Sequence, residues 1–194
     1  MTTSFSSITL QVVLAPEGRR SLLPRAAAPE LRASLADIVA SKGQTLLASA
    51  CLPDHVHLLL TIDAETIVSK FLQQVKSAST LWMNRKRFLQ DNFSWQRGFG
   101  VFGYSQTHIP ALEEYFNRQE SYHREHSFRE EYTRLLRHME IPFEDRHLFE
   151  FYDEVRTWRG DEAPRPRVLR QRAPEPLIIS GELLADAVVR AVTG

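Results

Sequence analysis

The sequence predicts an α+β sandwich, an antiparallel sheet covered by helices, and three observations point that way. Two apolar, strand-like runs meet at Pro53-Asp54, a turn pair that marks an antiparallel hairpin in the middle of the chain. Segments of helical spacing alternate around that hairpin and give the order βαββαβα. The composition, 43% hydrophobic and 25% charged over 194 residues, suits one globular domain able to bury its own core.

Residues 6–14 (SSITLQVVL) are β-branched and apolar and end at Ala15-Pro16-Glu17-Gly18, so they read as a strand closed by a turn. Residues 29–42 place Leu31, Leu35, Ile38 and Val39 at helical spacing, with Pro29 near the start and Gly43 just past the end. Residues 45–52 and 55–62 are the arms of the hairpin. Residues 65–88 carry Ile67, Val68, Phe71, Val75, Ala78 and Trp82 on one broad face, an amphipathic helix of several turns. Residues 98–105 (GFGVFGYS) read as a glycine-relieved aromatic strand. One further helix should start near Pro110 and run through Tyr115, Gln119 and Tyr122. Ser127 and Glu130 resemble a capping box opening a last helix over 128–139, with Tyr132, Leu135 and Leu136 facing inward.

After Trp158 the composition changes to DEAPRPRVLRQRAPEP, rich in Pro and Arg and without apolar period. The expected division is a domain over 1–155 and an arm over 156–194, in which Leu177–Val192 can form a short helix. No apolar run approaches the roughly 20 residues that span a bilayer, so the expectation is a cytoplasmic protein without a membrane partner. The single cysteine, Cys51, has no internal disulfide partner and reads as core filling. Lys plus Arg equals Asp plus Glu, 24 each, so net charge does not announce a nucleic-acid partner. A positive middle segment is nevertheless present in Lys70, Lys76, Arg85, Lys86, Arg87 and Arg97.

Three groups of residues can carry chemistry. His55 and His57, two apart on an expected strand, point to one face and can hold one metal ion, or can be two satisfied structural histidines. Tyr115 and Gln119, four apart on an expected helix, share a face. A tyrosine hydroxyl is a poor nucleophile until a metal or base assists it, and a glutamine oxygen suits Mg²⁺ or Mn²⁺ as a third ligand. Tyr115 taken alone can equally be an ordinary aromatic at the core edge. Arg85-Lys86-Arg87, with Lys76 and Arg97, is either a phosphate clamp for DNA or a solvated helix end. His123 and His126 lie one turn beyond Gln119, and Tyr122 projects from nearly the same face as Tyr115.

Taken together, these motifs resemble the single-tyrosine HUH transposases, in particular the REP-associated tyrosine transposases and compact insertion-sequence transposases. Residues 53–60 (PDHVHLLL) are similar to the family's metal strand and 93–102 (FSWQRGFGVF) to its aromatic segment. Tyr115 to Gln119 is similar to its Y-x-x-x-Q helix, and 127–132 (SFREEY) to the segment next along the chain. The resemblance covers roughly residues 5–152 in consistent order. It implies a ferredoxin-like α/β sandwich, a divalent ion (Mg or Mn) on His55, His57 and Gln119, and Tyr115 as the nucleophile. It implies cleavage of single-stranded DNA with a 5′-phosphotyrosine intermediate, recognition of DNA hairpins, and in many members a homodimer. Gln11 stands where relatives often carry histidine, and Tyr122 precedes His123 where a histidine pair is common.

Two rivals compete with that reading. One is a domesticated relative that binds nucleic-acid hairpins without cutting. The other is a zinc hydrolase on His55 and His57, which needs a further His, Asp or Glu ligand, and Asp54 is expected on the opposite strand face.

Overall fold

A computed structural model describes residues 5–152. Within them a four-stranded antiparallel sheet runs in the order β2-β3-β1-β4, built from β1 (Ile8–Leu14), β2 (Thr45–Cys51), β3 (Val56–Ile62) and β4 (Gly100–Tyr104). Helix α1 (Ala27–Ala40) joins β1 to β2, and α2 (Val68–Lys86) joins β3 to β4. Three helices come after the sheet: α3 (Ile109–Asn117), α4 (Gln119–Tyr122) and α5 (Phe128–His138). The βαββαβ core is the expected α+β sandwich in ferredoxin-like order. The arm over 156–194, with its expected helix over 177–192, lies outside the described residues. Among the described residues no helix is long and apolar enough to cross a membrane.

The period of two along each strand decides which residues meet which helices. Leu10, Val12 and Leu14 of β1 and Val56, Leu58, Leu60 and Ile62 of β3 join Leu31 and Leu35 of α1 and Phe71, Leu72 and Val75 of α2 in the main core. Each large side chain wholly buried there contributes roughly 1.5–3 kcal/mol through lost apolar exposure. The alternate residues line the other face. Pairing sets Val13 opposite His57 and Gln11 opposite Leu59, while Gln11 also faces Phe102 of β4. On that face α5 packs through Phe128, Tyr132 and Leu136, and α3 packs through Leu112 and Phe116.

Several local expectations change. The expected single helix from Pro110 through Tyr122 is two helices, because Arg118 leaves helical geometry at φ −97° and ψ 3°. His55 precedes the first residue of β3 instead of lying within it, and its carbonyl accepts from Leu52 N–H at 2.9 Å to close the hairpin turn. Helix α2 stops two residues before Phe88, where Arg87 takes the left-handed conformation at φ 55°. The capping box forms as expected: Ser127 Oγ accepts from Glu130 N–H at 3.3 Å and Ser127 N–H donates to Glu130 Oε2 at 2.7 Å.

Gly100 permits the close approach of α5. A Cβ there would stand 2.9 Å from the Tyr132 ring and 3.0 Å from that of Phe102. Gly100→Ala is therefore expected to cost about 1–3 kcal/mol by overpacking, seen as a lower urea midpoint at unchanged slope.

Candidate active site

The seam between the α5 and α3 packing clusters is polar and closed to water. His55 and His57 project into it from the β2–β3 hairpin, Gln119 and His123 from α4 and its end, and Glu131 from the first turn of α5. Exposures of 0% for His55, 1% for His57 and 4% for Glu131 mean that these groups must satisfy one another. Phe128 stacks flat on His55, with ring centres 4.2 Å apart, and Phe116 lies against His57 at 5.4 Å. The two rings are thus held by apolar neighbours from different helices.

Glu131 is the hub. Its carboxylate lies 3.3 Å from His55 Nε2, 3.2 Å from His57 Nε2 and 3.1 Å from His123 Nε2. It accepts from Gln119 Nε2 at 2.9 Å and from the Tyr115 hydroxyl. Burial alone would raise the Glu131 carboxyl, but His57 and His123 beside it and the donors from His123 and His55 hold it well below the usual range. Tyr115 is pushed the other way. Burial, then the Glu131 charge and its hydrogen bond, raise the phenol well above 10, so it keeps its proton at neutral pH.

The two histidines are anchored differently. Asp54 Oδ1 lies 2.8 Å from His55 Nδ1, so Asp54 turns toward the site, contrary to the expectation that it faces away. Burial pushes His55 down, yet Asp54 and Glu131 outweigh it and bring the imidazole to about 9. His57 is lowered from 6.5 because burial outweighs Glu131. A group raised in the folded state stabilises fully below its unfolded value and loses that contribution as pH rises through the folded one. The stability of EDTA-treated protein in urea should therefore fall between pH 6.5 and about 9, by on the order of 3 kcal/mol from His55. His57 does not mask this, since a lowered imidazole costs stability only below 6.5. A His55→Asn variant should show the fall largely removed.

The donor set fits a divalent ion. One atom each from His55, His57 and Glu131 lie within 4.8 Å of one another, and all three residues are buried. A carboxylate behind one imidazole is the usual second support of a ligating histidine. Two nitrogens and a carboxylate suit Mn²⁺ or Mg²⁺, and Zn²⁺ as well.

The sequence pairing of Tyr115 with Gln119 survives the helix break, since both reach Glu131. Gln119 faces His123 Nε2 with its Oε1, at 3.0 Å, and enters the cluster through Glu131 and His123. Glu131 is the acid that sequence reasoning missed. Tyr122 lies beside Tyr115, ring centres 6.0 Å apart, but its hydroxyl accepts from Arg134 at 3.1 Å. The basic residues are not gathered here. Arg85 and Lys86 sit on α2, across the sheet from Tyr115, and Lys86 pairs with Glu30 at 2.7 Å. Arg87 comes directly after that helix and Arg97 is exposed in the loop before β4. Lys76 donates to the carbonyls of Gln96 at 2.6 Å and Gly98 at 2.9 Å, which ties that loop to α2.

Residues 4–119 match the family described as Transposase IS200 like, a stretch that contains the hairpin histidines, Tyr115 and Gln119. The chain belongs to that family. Glu131 and His123 lie beyond the matched stretch. Among solved structures, a provisionally assigned transposase from Deinococcus radiodurans R1 is 23% identical, with TM-score 0.48, 61% of this chain and 98% of that one covered. A REP-associated tyrosine transposase bound to a REP hairpin is 18% identical, with TM-score 0.48 and coverage of 63% and 72%. No curated protein sequence matches.

Proposed function

We propose that this IS200-like transposase cuts and rejoins single-stranded DNA through a covalent bond between Tyr115 and a 5′-phosphate. The observation that carries the reading is one contact: the Tyr115 hydroxyl donates to Glu131, whose carboxylate lies against both His55 and His57. Nucleophile and metal cradle are therefore contiguous. His55 and His57 would hold a divalent ion, Mg²⁺ or Mn²⁺, with Glu131 or Gln119 completing the set. Such an ion would offset charge on the scissile phosphate and favour the phenolate beside it.

The side chains supply the rest. Glu131 aims the Tyr115 oxygen, and the packing of Phe128 and Phe116 keeps the imidazoles from turning. As the Tyr115 oxygen bonds to phosphorus, the bond from phosphorus to the 3′-oxygen breaks. The phenol loses one proton and the departing 3′-hydroxyl gains one, which keeps the phosphodiester energy for rejoining. Family membership supports DNA as the partner, as a single strand or a hairpin.

The test uses 3′-labelled single-stranded DNA from the flanks of the gene, Mn²⁺ and the full chain. A denaturant-resistant adduct whose label maps to the Tyr115 peptide is expected. Label on the Tyr122 peptide would reassign the nucleophile. In the zinc-hydrolase reading Glu131 would be the further ligand, and cleavage without any adduct would favour it. Hairpin binding without cleavage would favour the domesticated relative.

A further inference from the structure

We propose that Gln11 and Tyr104 are positioning residues for His57, and that the Gln11 amide turns over when the ion binds, moving the ring proton from one nitrogen of His57 to the other. The proposal rests on His57 as a metal ligand and concerns what stands behind it. Gln11 is 1% exposed on β1, between Leu10 and Val12. A buried amide is costly unless both its ends are bonded, and both are. Its Nε2 lies 3.1 Å from His57 Nδ1, and its Oε1 accepts from the Tyr104 hydroxyl of β4 at 3.0 Å.

The carboxylate fixes the proton. Glu131 can only accept, so His57 Nε2, 3.2 Å from it, holds the ring proton, and Nδ1 accepts from the Gln11 amide. In that tautomer the Nε2 lone pair needed by an ion is occupied. His55 is arranged in the opposite sense. Its Nδ1 faces the Asp54 carboxylate, which can only accept, so Nδ1 keeps its proton with or without an ion, and Nε2, 3.3 Å from Glu131, is the atom that sheds its proton to coordinate.

His57 can bind through Nε2 only if its proton moves to Nδ1, and the group facing Nδ1 must then accept. Rotating the Gln11 amide by half a turn presents Oε1 to Nδ1 and Nε2 to Tyr104, whose hydroxyl can accept as well as donate. The ring keeps one proton throughout. Every buried polar atom of the relay is satisfied in both arrangements, which a carboxylate or an apolar residue at position 11 could not achieve. The cradle is thus half fixed, at His55, and half switchable, at His57.

Nitrogen-15 NMR of the histidine rings in the full chain tests this without any variant. In EDTA the His57 ring should carry its proton on Nε2, and in saturating Mg²⁺ on Nδ1. Two variants add an affinity readout by Mn²⁺ calorimetry. Gln11→Met, with no group to hold Nδ1, should bind Mn²⁺ about 10–100-fold more weakly. Gln11→Glu, which can only accept, should hold the proton on Nδ1 with and without metal and retain Mn²⁺ binding, which also guards against a misfolded Gln11→Met. A wild-type His57 with Nδ1 protonated in EDTA overturns the proposal, as does wild-type affinity in folded Gln11→Met. Absence of Mn²⁺ binding and of any Mg²⁺ shift at His55 and His57 in the wild type overturns the metal reading, and the relay with it.

Discussion

Tyr115→Phe is expected to abolish covalent capture of DNA, a loss on the order of 10³-fold or more in cleavage, while the protein stays folded. The substitution removes the attacking oxygen and one donor to Glu131. The carboxylate keeps Gln119 Nε2 at 2.9 Å and the histidine nitrogens, so the cost in stability should be only about 1–2 kcal/mol. The ring itself stays lodged between His57 and Tyr122. Tyr122→Phe is the informative comparison. Its hydroxyl is engaged by Arg134 instead of Glu131, and the adduct should persist. A gel of denatured adduct, read beside circular dichroism of each variant, checks both statements. An adduct surviving in Tyr115→Phe would remove Tyr115 from the chemistry.

Glu131→Ala should be the most damaging single change to stability. It leaves His55, which binds a proton up to about 9, buried beside a void, and strips partners from His57, His123, Gln119 and Tyr115 together. Breaking a buried ionic partnership from one side typically costs about 3–5 kcal/mol. Urea unfolding in EDTA should show that loss, and Mn²⁺ calorimetry should show weakened binding. Glu131→Gln keeps the shape and most hydrogen bonds but not the charge, so it should unfold later than Glu131→Ala and still bind Mn²⁺ poorly. Wild-type stability in Glu131→Ala would mean that the histidines do not depend on this carboxylate.

The hairpin, both long helices and the capping box were legible in the sequence because each is decided locally, by turn chemistry or by apolar period. The break at Arg118 was not. Leu112, Phe116, Gln119 and His123 continue the same helical spacing straight across it, so periodicity carries no sign of the change in backbone angle. Glu131 was hidden by its neighbour: Glu130 took the capping role, and the adjacent acid drew no reading of its own. The signal was there in phase, since position 131 falls between Phe128 and Leu135 on the buried stripe of α5, where an unpaired acid is unexpected. Gln11 carried a similar signal, a buried amide in an otherwise apolar strand. The basic residues cluster on and just after α2, with the sheet between that helix and Tyr115, a separation that charge pattern along the chain does not reveal.

The two faces of that sheet differ in what a substitution can do. Leu31, Leu35, Leu72 and Val75 pack on the face away from the histidines. Changes there should lower how many molecules are folded in the cell while each folded molecule turns over as before. Changes at Gln11, Val13 or Phe102 fall on the opposite face, where abundance and turnover move together. A lineage under weak selection could therefore drift through many sequences behind the sheet and few in front of it. Comparing soluble yield with activity per folded molecule across a mutant library would separate the two sides of the fold.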